Sequence, residues 1–484
     1  MIRERKGAAE AVAVFFVSLI AYGAVAWWTY RFPVISYDEV AYAATARRLA
    51  EQGGWLDLYG SGDLFFFPPL FNYLAGALIA LGAERLAAVR LIAVVAGAGV
   101  NTLFFLLMRR HIGRRAAWIA VPWALLMPVK ASYSAVGQVE LPMLCAVLAA
   151  GYVAFSGADE RWRAGGSALL LAAAVWIKET ALGFIPLFLV LWFFRGERRL
   201  AFRAGVLLLL LLLPLFVQTL LPHTYDLFYE VTTPVILFTG LFPDALLLNL
   251  LKQFAIEPAR LFGFGYAIAV AFALLVAASF RSLDRKTVTA DPFLAFSLLS
   301  VAVWSLFFLY FPRKFDYYLI PLSLFLLVFV ARFLAERPRT AIAATAVMLL
   351  LSLWAMQGFA SFREDTIALR EILAQAAREK PGARVAMTLP RSGEYLAERD
   401  GMPIHIVELQ RYSCHGSARG CFHGSDYFVE HEDWLKILFC TAWPLIDERC
   451  DHETFLRVLG SMDMVDERRG LRLYRLGPRA DEFR

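Results

Sequence analysis

Long apolar runs, such as residues 206–217 and 267–280, constrain this chain more than any other feature. A bilayer-spanning helix needs roughly 20 mostly apolar residues. About eleven segments qualify when short ones are admitted: 8–30, 69–81 with 86–108, 116–130, 138–156, 164–177, 181–194, 200–221, 259–280, 292–311, 317–334 and 340–358. Residues are 59% hydrophobic and only 19% charged, with mean hydropathy +0.57, outside the range of ordinary soluble domains. Transmembrane barrel strands alternate in hydropathy and these blocks do not. The expected fold is therefore a polytopic α-helical membrane protein. Residues 69–81 are too short to cross and read as an outer or re-entrant piece leading into 86–108.

The net charge of +6 does not indicate nucleic acid, because the basic residues fall in short clusters between spans. Examples are Arg109-Arg110-His111 with Arg114-Arg115, Arg161 with Arg163, Arg195 with Arg198-Arg199, and Arg281 with Arg285-Lys286. Cytoplasmic loops collect Lys and Arg. The clusters occur at every second connection, which places the N-terminus in the cytoplasm and the C-terminus outside. Connections 31–68, 128–138, around 177–181, 222–258 and 311–317 then face outward. The first segment ends in Trp27-Trp28-Thr29-Tyr30-Arg31 rather than small residues, so it reads as an uncleaved span with an aromatic belt.

Two adjacent carboxylates, Asp38 and Glu39, stand in the first outer connection. Charges beside a span are costly and usually serve a purpose. Ser36 followed by Glu39 fits a capping box, which starts a helix over 36–52. Val40, Ala43, Ala44 and Leu49 are expected to face lipid, with Arg47, Arg48 and Glu51 facing water, as in an interfacial helix. The short span 164–177 runs into Lys178-Glu179, the pattern of a helix bordering a water-filled cavity. Arg313 and Lys314 lie in an outer connection, against the positive-inside trend, and an anionic partner would explain them.

Charge density rises from about residue 360, which marks residues 1–359 as a membrane domain and 360–484 as an extracytoplasmic α/β domain. Strands are expected at 384–389, 404–409 and 471–476, and helices at 394–399 and 432–439. Cys145 lies in a span, whereas Cys414, Cys421, Cys440 and Cys450 lie in the outer domain. Four cysteines outside the cytoplasm suggest two disulfides. Zinc is the competing reading, because His415, His423 and His431 are near.

Several motifs, taken in order, resemble the GT-C glycosyltransferase superfamily, in the branch of protein O-mannosyltransferases and lipid A aminoarabinose transferases. They are Tyr37-Asp38-Glu39 with Tyr42-Ala43, Phe67-Pro68-Pro69-Leu70, Val89-Arg90-Leu91, Gly137-Gln138-Val139-Glu140-Leu141-Pro142, and Tyr317-Tyr318-Leu319-Ile320-Pro321. The resemblance covers about residues 1–335. It implies transfer of a sugar from a polyprenyl-phosphate donor to a lipid, glycan or protein acceptor at the outer face of the cytoplasmic membrane. A carboxylate must take the acceptor's proton, and cations must meet the leaving phosphate.

Under that resemblance Asp38 is the general base, with Glu39 mainly a capping partner. Glu140 stands where relatives place a second acid. Lys178, Arg313, Lys314 and Arg90 are candidates for the donor phosphate. Tyr37, Tyr42, Gln138, Glu179, Tyr317 and Tyr318 are candidates for the donor sugar or acceptor. His223, beside Tyr225 and Asp226, stands where some relatives bind a divalent ion. One departure concerns substrate: Phe66-Phe67 replace the acidic-basic pair that the aminoarabinose branch carries before its two prolines. The rival readings are a lipid-linked oligosaccharide ligase or polymerase, and a transporter or flippase without chemistry. Charges at the outer edge rather than at the bilayer midplane favour chemistry.

Overall fold

The apolar blocks become helices wherever the computed structural model describes them, which is over residues 2–31, 37–53, 69–217, 266–310, 319–355, 358–387, 390–408, 424–431 and 462–476. They are α1 (Ile2–Arg31), α2 (Tyr37–Gln52), α3 (Leu70–Ala80), α4 (Arg85–His111), α5 (Arg114–Leu126), α6 (Pro128–Ala135), α7 (Glu140–Ala154), α8 (Glu160–Ile177), a 3-10 turn Glu179–Gly183, α9 (Phe184–Phe194) and α10 (Arg198–Leu215). After these come α11 (Tyr266–Arg281), α12 (Arg285–Ala290), α13 (Pro292–Tyr310), α14 (Leu319–Ala335), α15 (Pro338–Ala355) and α16 (Gly358–Glu379). Among the described residues, Gly7–Tyr30 and Arg85–His111 are long and apolar enough to cross a membrane by length and composition, and the other apolar helices are shorter. α13 ends, and α11 and α14 begin, at the edge of the described residues.

One expected span is broken. The segment 116–130 divides into α5 and α6 at Met127, whose backbone is extended (ψ 115°). The residue before a proline is pushed out of the helical region, and Pro128 suits the first position of a new helix. The connection expected over 128–138 is therefore largely helical.

The chain divides into two units. One comprises 1–29 and 45–358, and the other comprises 30–44 and 359–484. In the first, α4 packs against α3, α5, α6 and α7, α7 packs against α8, and α8 against α10. Small residues let these helices approach, which is how helices associate where water provides no driving force. A β-carbon at Gly97 would come within 2.8 Å of Ser134 Oγ. α1 and α4 run antiparallel: Glu10 bridges Arg109 (3.2 Å) and Arg114 (2.7 Å) at one end, and Arg90 reaches Thr29 at the other.

The basic connections gather at the same end as Glu10. His111 at the end of α4 meets Asp291 (3.0 Å) before α13, and its ring lies 6.1 Å from that of Phe155 after α7. Asp291 also accepts the N–H groups of Phe293 and Leu294, both at 2.9 Å, capping α13. α7 and α8 carry the chain away from and back to the opposite end, where Glu140 and Lys178 lie.

In the second unit β1 (Ala383–Met387), β2 (Ile404–Glu408), β3 (Tyr427–His431), β4 (Asp463–Arg468) and β5 (Leu471–Arg475) form one sheet of order β2-β1-β3-β5-β4. β1 pairs parallel with β2, through α17 (Pro390–Arg399), and parallel with β3. β5 is antiparallel to β3 and β4. Arg469 and Gly470 both have positive φ (51° and 77°), as a tight two-residue hairpin between β4 and β5 demands. Ile372, Leu373 and Ala376 of α16 pack with Val385, Val429, Leu473 and Leu396 in the core of this unit. The helix expected at 432–439 and Cys414, Cys421, Cys440 and Cys450 lie outside the described residues.

The helix expected over 36–52 is α2, but its apolar face is not turned to lipid. Val40, Ala43 and Leu49 are buried in protein, together with Tyr42, Thr45 and Ala46. Arg47 and Glu51 do form an exposed pair at 2.7 Å, as their spacing on a helix allows. Ser36, the other half of the expected capping box, lies outside the described residues.

Candidate active site

The turn between α6 and α7 organises the end opposite the basic connections. Gln138 N–H donates to Val136 O at 2.8 Å and closes the turn. Glu140 then opens α7, where the helix dipole favours an acid. Gly137 lies directly on α4, since a β-carbon there would come within 2.6 Å of Val89 Cγ2. That contact sets Gln138 and Glu140, both buried, next to the start of α4 and the residue after Val89, which is Arg90.

Arg90 is 3% exposed. Its Nη1 donates to Thr29 Oγ1 (3.2 Å) and to Ala26 O (3.4 Å), drawing the end of α1 onto α4. A cation near a helix C-terminus also meets the negative end of its dipole. One side of the guanidinium is thus committed to the scaffold.

Lys178 occupies the break between α8 and the 3-10 turn, with extended backbone (φ −153°). Its side chain is buried, and Nζ lies 3.1 Å from Glu179 Oε1. Two acceptors beside it, Glu179 Oε2 and Thr180 Oγ1, are buried with no hydrogen-bond partner among the described residues. Asn72 Oδ1 on α3 is in the same condition. α3 and the 3-10 turn both pack against α8. Buried polar atoms left unmet are costly, so this end of the unit is built with unsatisfied acceptors. Asn72 and Thr180 do not stand out in the sequence. An Asn inside an apolar run was the readable signal for the first.

In the second unit, Asp38 and Glu39 form the first turn of α2. Glu39 is fully buried, Tyr42 is buried and Asp38 is half-buried. Tyr37 begins the helix. Arg313, Lys314, Tyr317, Tyr318 and His223 lie outside the described residues. Among the described residues no three His, Cys, Asp or Glu side chains gather as a metal site.

A buried lysine that the sequence reading passed over lies deeper in the helical unit. Lys130 on α6 is fully buried. Its Nζ donates to Tyr22 Oη (2.6 Å) and Asn101 Oδ1 (2.7 Å), and stands 4.8 Å from the Tyr22 ring centre. Asn101 Nδ2 donates to Ser18 Oγ and Tyr22 Oη, each at 3.0 Å. Tyr22 Oη–H donates toward the carbonyls of Leu125 (3.3 Å) and Ala124 (3.4 Å), near the end of α5. This network of hydrogen bonds around one buried amine joins α1, α4, α5 and α6.

Comparison with known proteins identifies the architecture. Residues 67–222 match the family model of dolichyl-phosphate-mannose-protein mannosyltransferases. The structure of ArnT from Cupriavidus metallidurans bound to undecaprenyl phosphate covers 97% of this chain and 97% of its own, with TM-score 0.54 and 16% identity. The fold is that of the GT-C glycosyltransferases. The apo form of the same ArnT gives TM-score 0.52 at 16% identity, covering 97% and 96%. The Archaeoglobus fulgidus oligosaccharyltransferase, in complex with Zn and sulfate, gives 0.51 at 13% identity, covering 88% of this chain and 68% of that one. No curated protein sequence matches. The GT-C resemblance read from the motifs therefore stands. The family match spans Phe67-Pro68-Pro69-Leu70, Val89-Arg90-Leu91 and the 137–142 motif, and the structural match extends through the C-terminal unit.

Proposed function

We propose that the protein is a membrane glycosyltransferase that moves a sugar from a polyprenyl-phosphate donor to a lipid, glycan or protein acceptor at the outer face of the cytoplasmic membrane. The observation that carries this reading is the match over 97% of the chain to a protein solved with undecaprenyl phosphate, combined with the mannosyltransferase match over residues 67–222. The proposed architecture is a GT-C membrane domain of eleven spans with an extracytoplasmic α/β domain.

The proposed chemistry is a single displacement. The Asp38 carboxylate accepts the proton of the acceptor hydroxyl. That oxygen bonds to the anomeric carbon, and the bond from this carbon to the lipid phosphate breaks, its electron pair leaving with the phosphate. Lys178, Arg90, Arg313 and Lys314 are the cations assigned to the growing phosphate charge, where fixed positive groups act most strongly. Glu140, Gln138, Tyr42, Tyr37, Tyr317 and Tyr318 are assigned to positioning sugar and acceptor, and Glu39 to holding α2. The unmet acceptors Glu179 Oε2, Thr180 Oγ1 and Asn72 Oδ1 suit the hydroxyl donors of a sugar.

The likeness to an oligosaccharyltransferase supports a second reading, in which the donor carries an oligosaccharide. The test is transfer by the purified protein from a polyprenyl-phosphate monosaccharide alone. Product from the monosaccharide supports the first reading. Product only from an oligosaccharide donor moves the protein to the second. Movement of donor lipid between leaflets without any transfer would make it a flippase.

A further inference from the structure

At the end of the helical unit where the basic connections gather, opposite Glu140 and Lys178, lies a cavity of about 180 Å³. Its wall includes Ser156, Arg163, Trp192, Arg195 and Glu197. The cavity belongs to the connections α7–α8 and α9–α10 and to the start of α13, all within one unit.

Its wall is rich in hydrogen-bond donors. Trp192 is 1% exposed, and its indole Nε1–H meets no acceptor among the described residues. A buried donor left unmet costs about 1–3 kcal/mol, so the site calls for an acceptor. Ser156 Oγ accepts the N–H of Ala158 (3.3 Å), which leaves its own proton to donate. Arg195 is exposed and, among the described residues, makes two long contacts, at 3.3 Å, to the carbonyls of Thr289 and Ala290.

The one carboxylate in the wall is already taken. Arg163 Nη1 and Nη2 hold the two oxygens of Glu197 at 2.9 Å each, and Arg163 Nε donates to Ala154 O at 2.8 Å. That bidentate pair is locally neutral, so Arg195 leaves the wall with a net positive charge. At the starts of α8 and α10, Arg161, Arg198 and Arg199 outnumber Asp159 and Glu160 by one, so the surroundings keep the same sign.

We infer that this cavity binds a phosphate group, held by Arg195, the Trp192 indole N–H and Ser156. Phosphate offers several acceptor oxygens and negative charge, and guanidinium forks suit it. With the topology set by the basic clusters, the site lies on the cytoplasmic side, away from the proposed transfer chemistry. The phosphate comes either from an anionic lipid headgroup of the inner leaflet or from free phosphate. Bound there, it would join α7–α8 to α9–α10.

The test uses the full-length protein in detergent, with short-chain phosphatidylglycerol, inorganic phosphate and a diacylglycerol of the same chains as probes, and bound fraction read by native mass spectrometry. We expect saturable binding of phosphatidylglycerol, of phosphate or of both, and none of diacylglycerol. Binding of the lipid alone assigns the headgroup, and binding of phosphate assigns the free ion. Trp192→Phe keeps the ring and removes the donor, and Arg195→Gln removes the exposed charge. Each should weaken binding about five- to tenfold, the loss of one hydrogen bond of about 1–1.5 kcal/mol. Arg370→Gln, an exposed charge in the sheet unit with no part in either site, should leave it unchanged. Should Trp192→Phe fail to fold, Arg195→Gln decides, because its side chain is exposed. Binding of neither phosphate probe, or binding unaltered by Arg195→Gln, overturns the proposal.

Discussion

Lys130 in the helical unit is fully buried and donates to two neutral groups, Tyr22 and Asn101, whereas in the sheet unit Asp426, Asp400 and Glu379 stay near the surface, each beside a cation. Asp426 Oδ1 lies 2.6 Å from Lys380 Nζ, and its Oδ2 accepts the N–H of Arg384 at 2.8 Å. Asp400 lies 2.5 Å from Arg370 and 3.0 Å from Arg399. Solvent screens the second kind of arrangement, and each such pair contributes little. The first kind cannot be screened, so every donor and acceptor in it matters. The difference teaches where each unit is vulnerable: the helical unit to the loss of one atom or one close contact, the sheet unit to pH.

The largest effect is expected at Gly137. Gly137→Ala forces a β-carbon against Val89 and should cost about 1–3 kcal/mol by overpacking. It should also reduce transfer, because the turn carries Gln138 and Glu140. Adding Val89→Ala should restore part of both losses, as measured by thermal unfolding in detergent and by transfer rate. An unchanged Gly137→Ala protein would remove the close contact from the account.

Next is Lys130→Met, which keeps the bulk of the side chain but leaves Asn101 Oδ1 without its donor. The expected cost is about 1–3 kcal/mol. The double variant Lys130→Met/Asn101→Leu should cost less than the two single losses added together, since both partners are then apolar. Simple additivity would show that the network is not coupled.

The sheet unit should give the smallest and most gradual response. Burial opposes ionisation of Asp426, but the hydrogen bonds from Lys380 and Arg384 win and hold it below its ordinary value of 3.8. A carboxylate depressed in the folded state stabilises it above the unfolded value, and that contribution is lost as pH falls through the folded value. Hydrogen exchange at β1 and β3 in the full-length protein should therefore accelerate as pH drops below about 4, after correction for intrinsic rates. Asp426→Asn should flatten that dependence. The amides of α7 should show no matching change over the same window.

The same contrast governs what was legible in the sequence. Runs of apolar residues bounded by basic clusters announced the helices, because burial in such segments follows composition. The strands at 383–387, 404–408 and 471–475 were readable from their apolar content, whereas β4 (Asp463–Arg468) carries mostly charged residues and gave no signal. The break at Met127 was written in Pro128 and was overlooked because the apolar run continues through it. Lys130 falls at the last position of the span expected over 116–130 and drew no reading of its own, although Tyr22 and Asn101 were equally placed as polar residues inside apolar runs. The buried face of α2 was misassigned because hydropathy alone does not say whether an apolar face meets lipid or protein. Of the candidate site, Glu140, Gln138, Arg90 and Lys178 were readable as charged or polar residues at span ends. Thr180 carries no charge and emerges only through packing, and Asn72 was marked only by its place inside an apolar run.

The central claim is that the Asp38 carboxylate takes the acceptor's proton, and Asp38→Asn tests it most directly. The change keeps the size of the side chain and its capacity to cap α2 but removes the base. The measurement is the single-turnover rate of sugar transfer from a polyprenyl-phosphate monosaccharide, with donor binding and thermal unfolding measured on the same preparation. The account predicts a rate lower by about 10²–10⁴, with donor binding and folding retained. A near-normal rate would contradict it, reduce Asp38 to a helix-capping acid, and make Glu140 the group to test next.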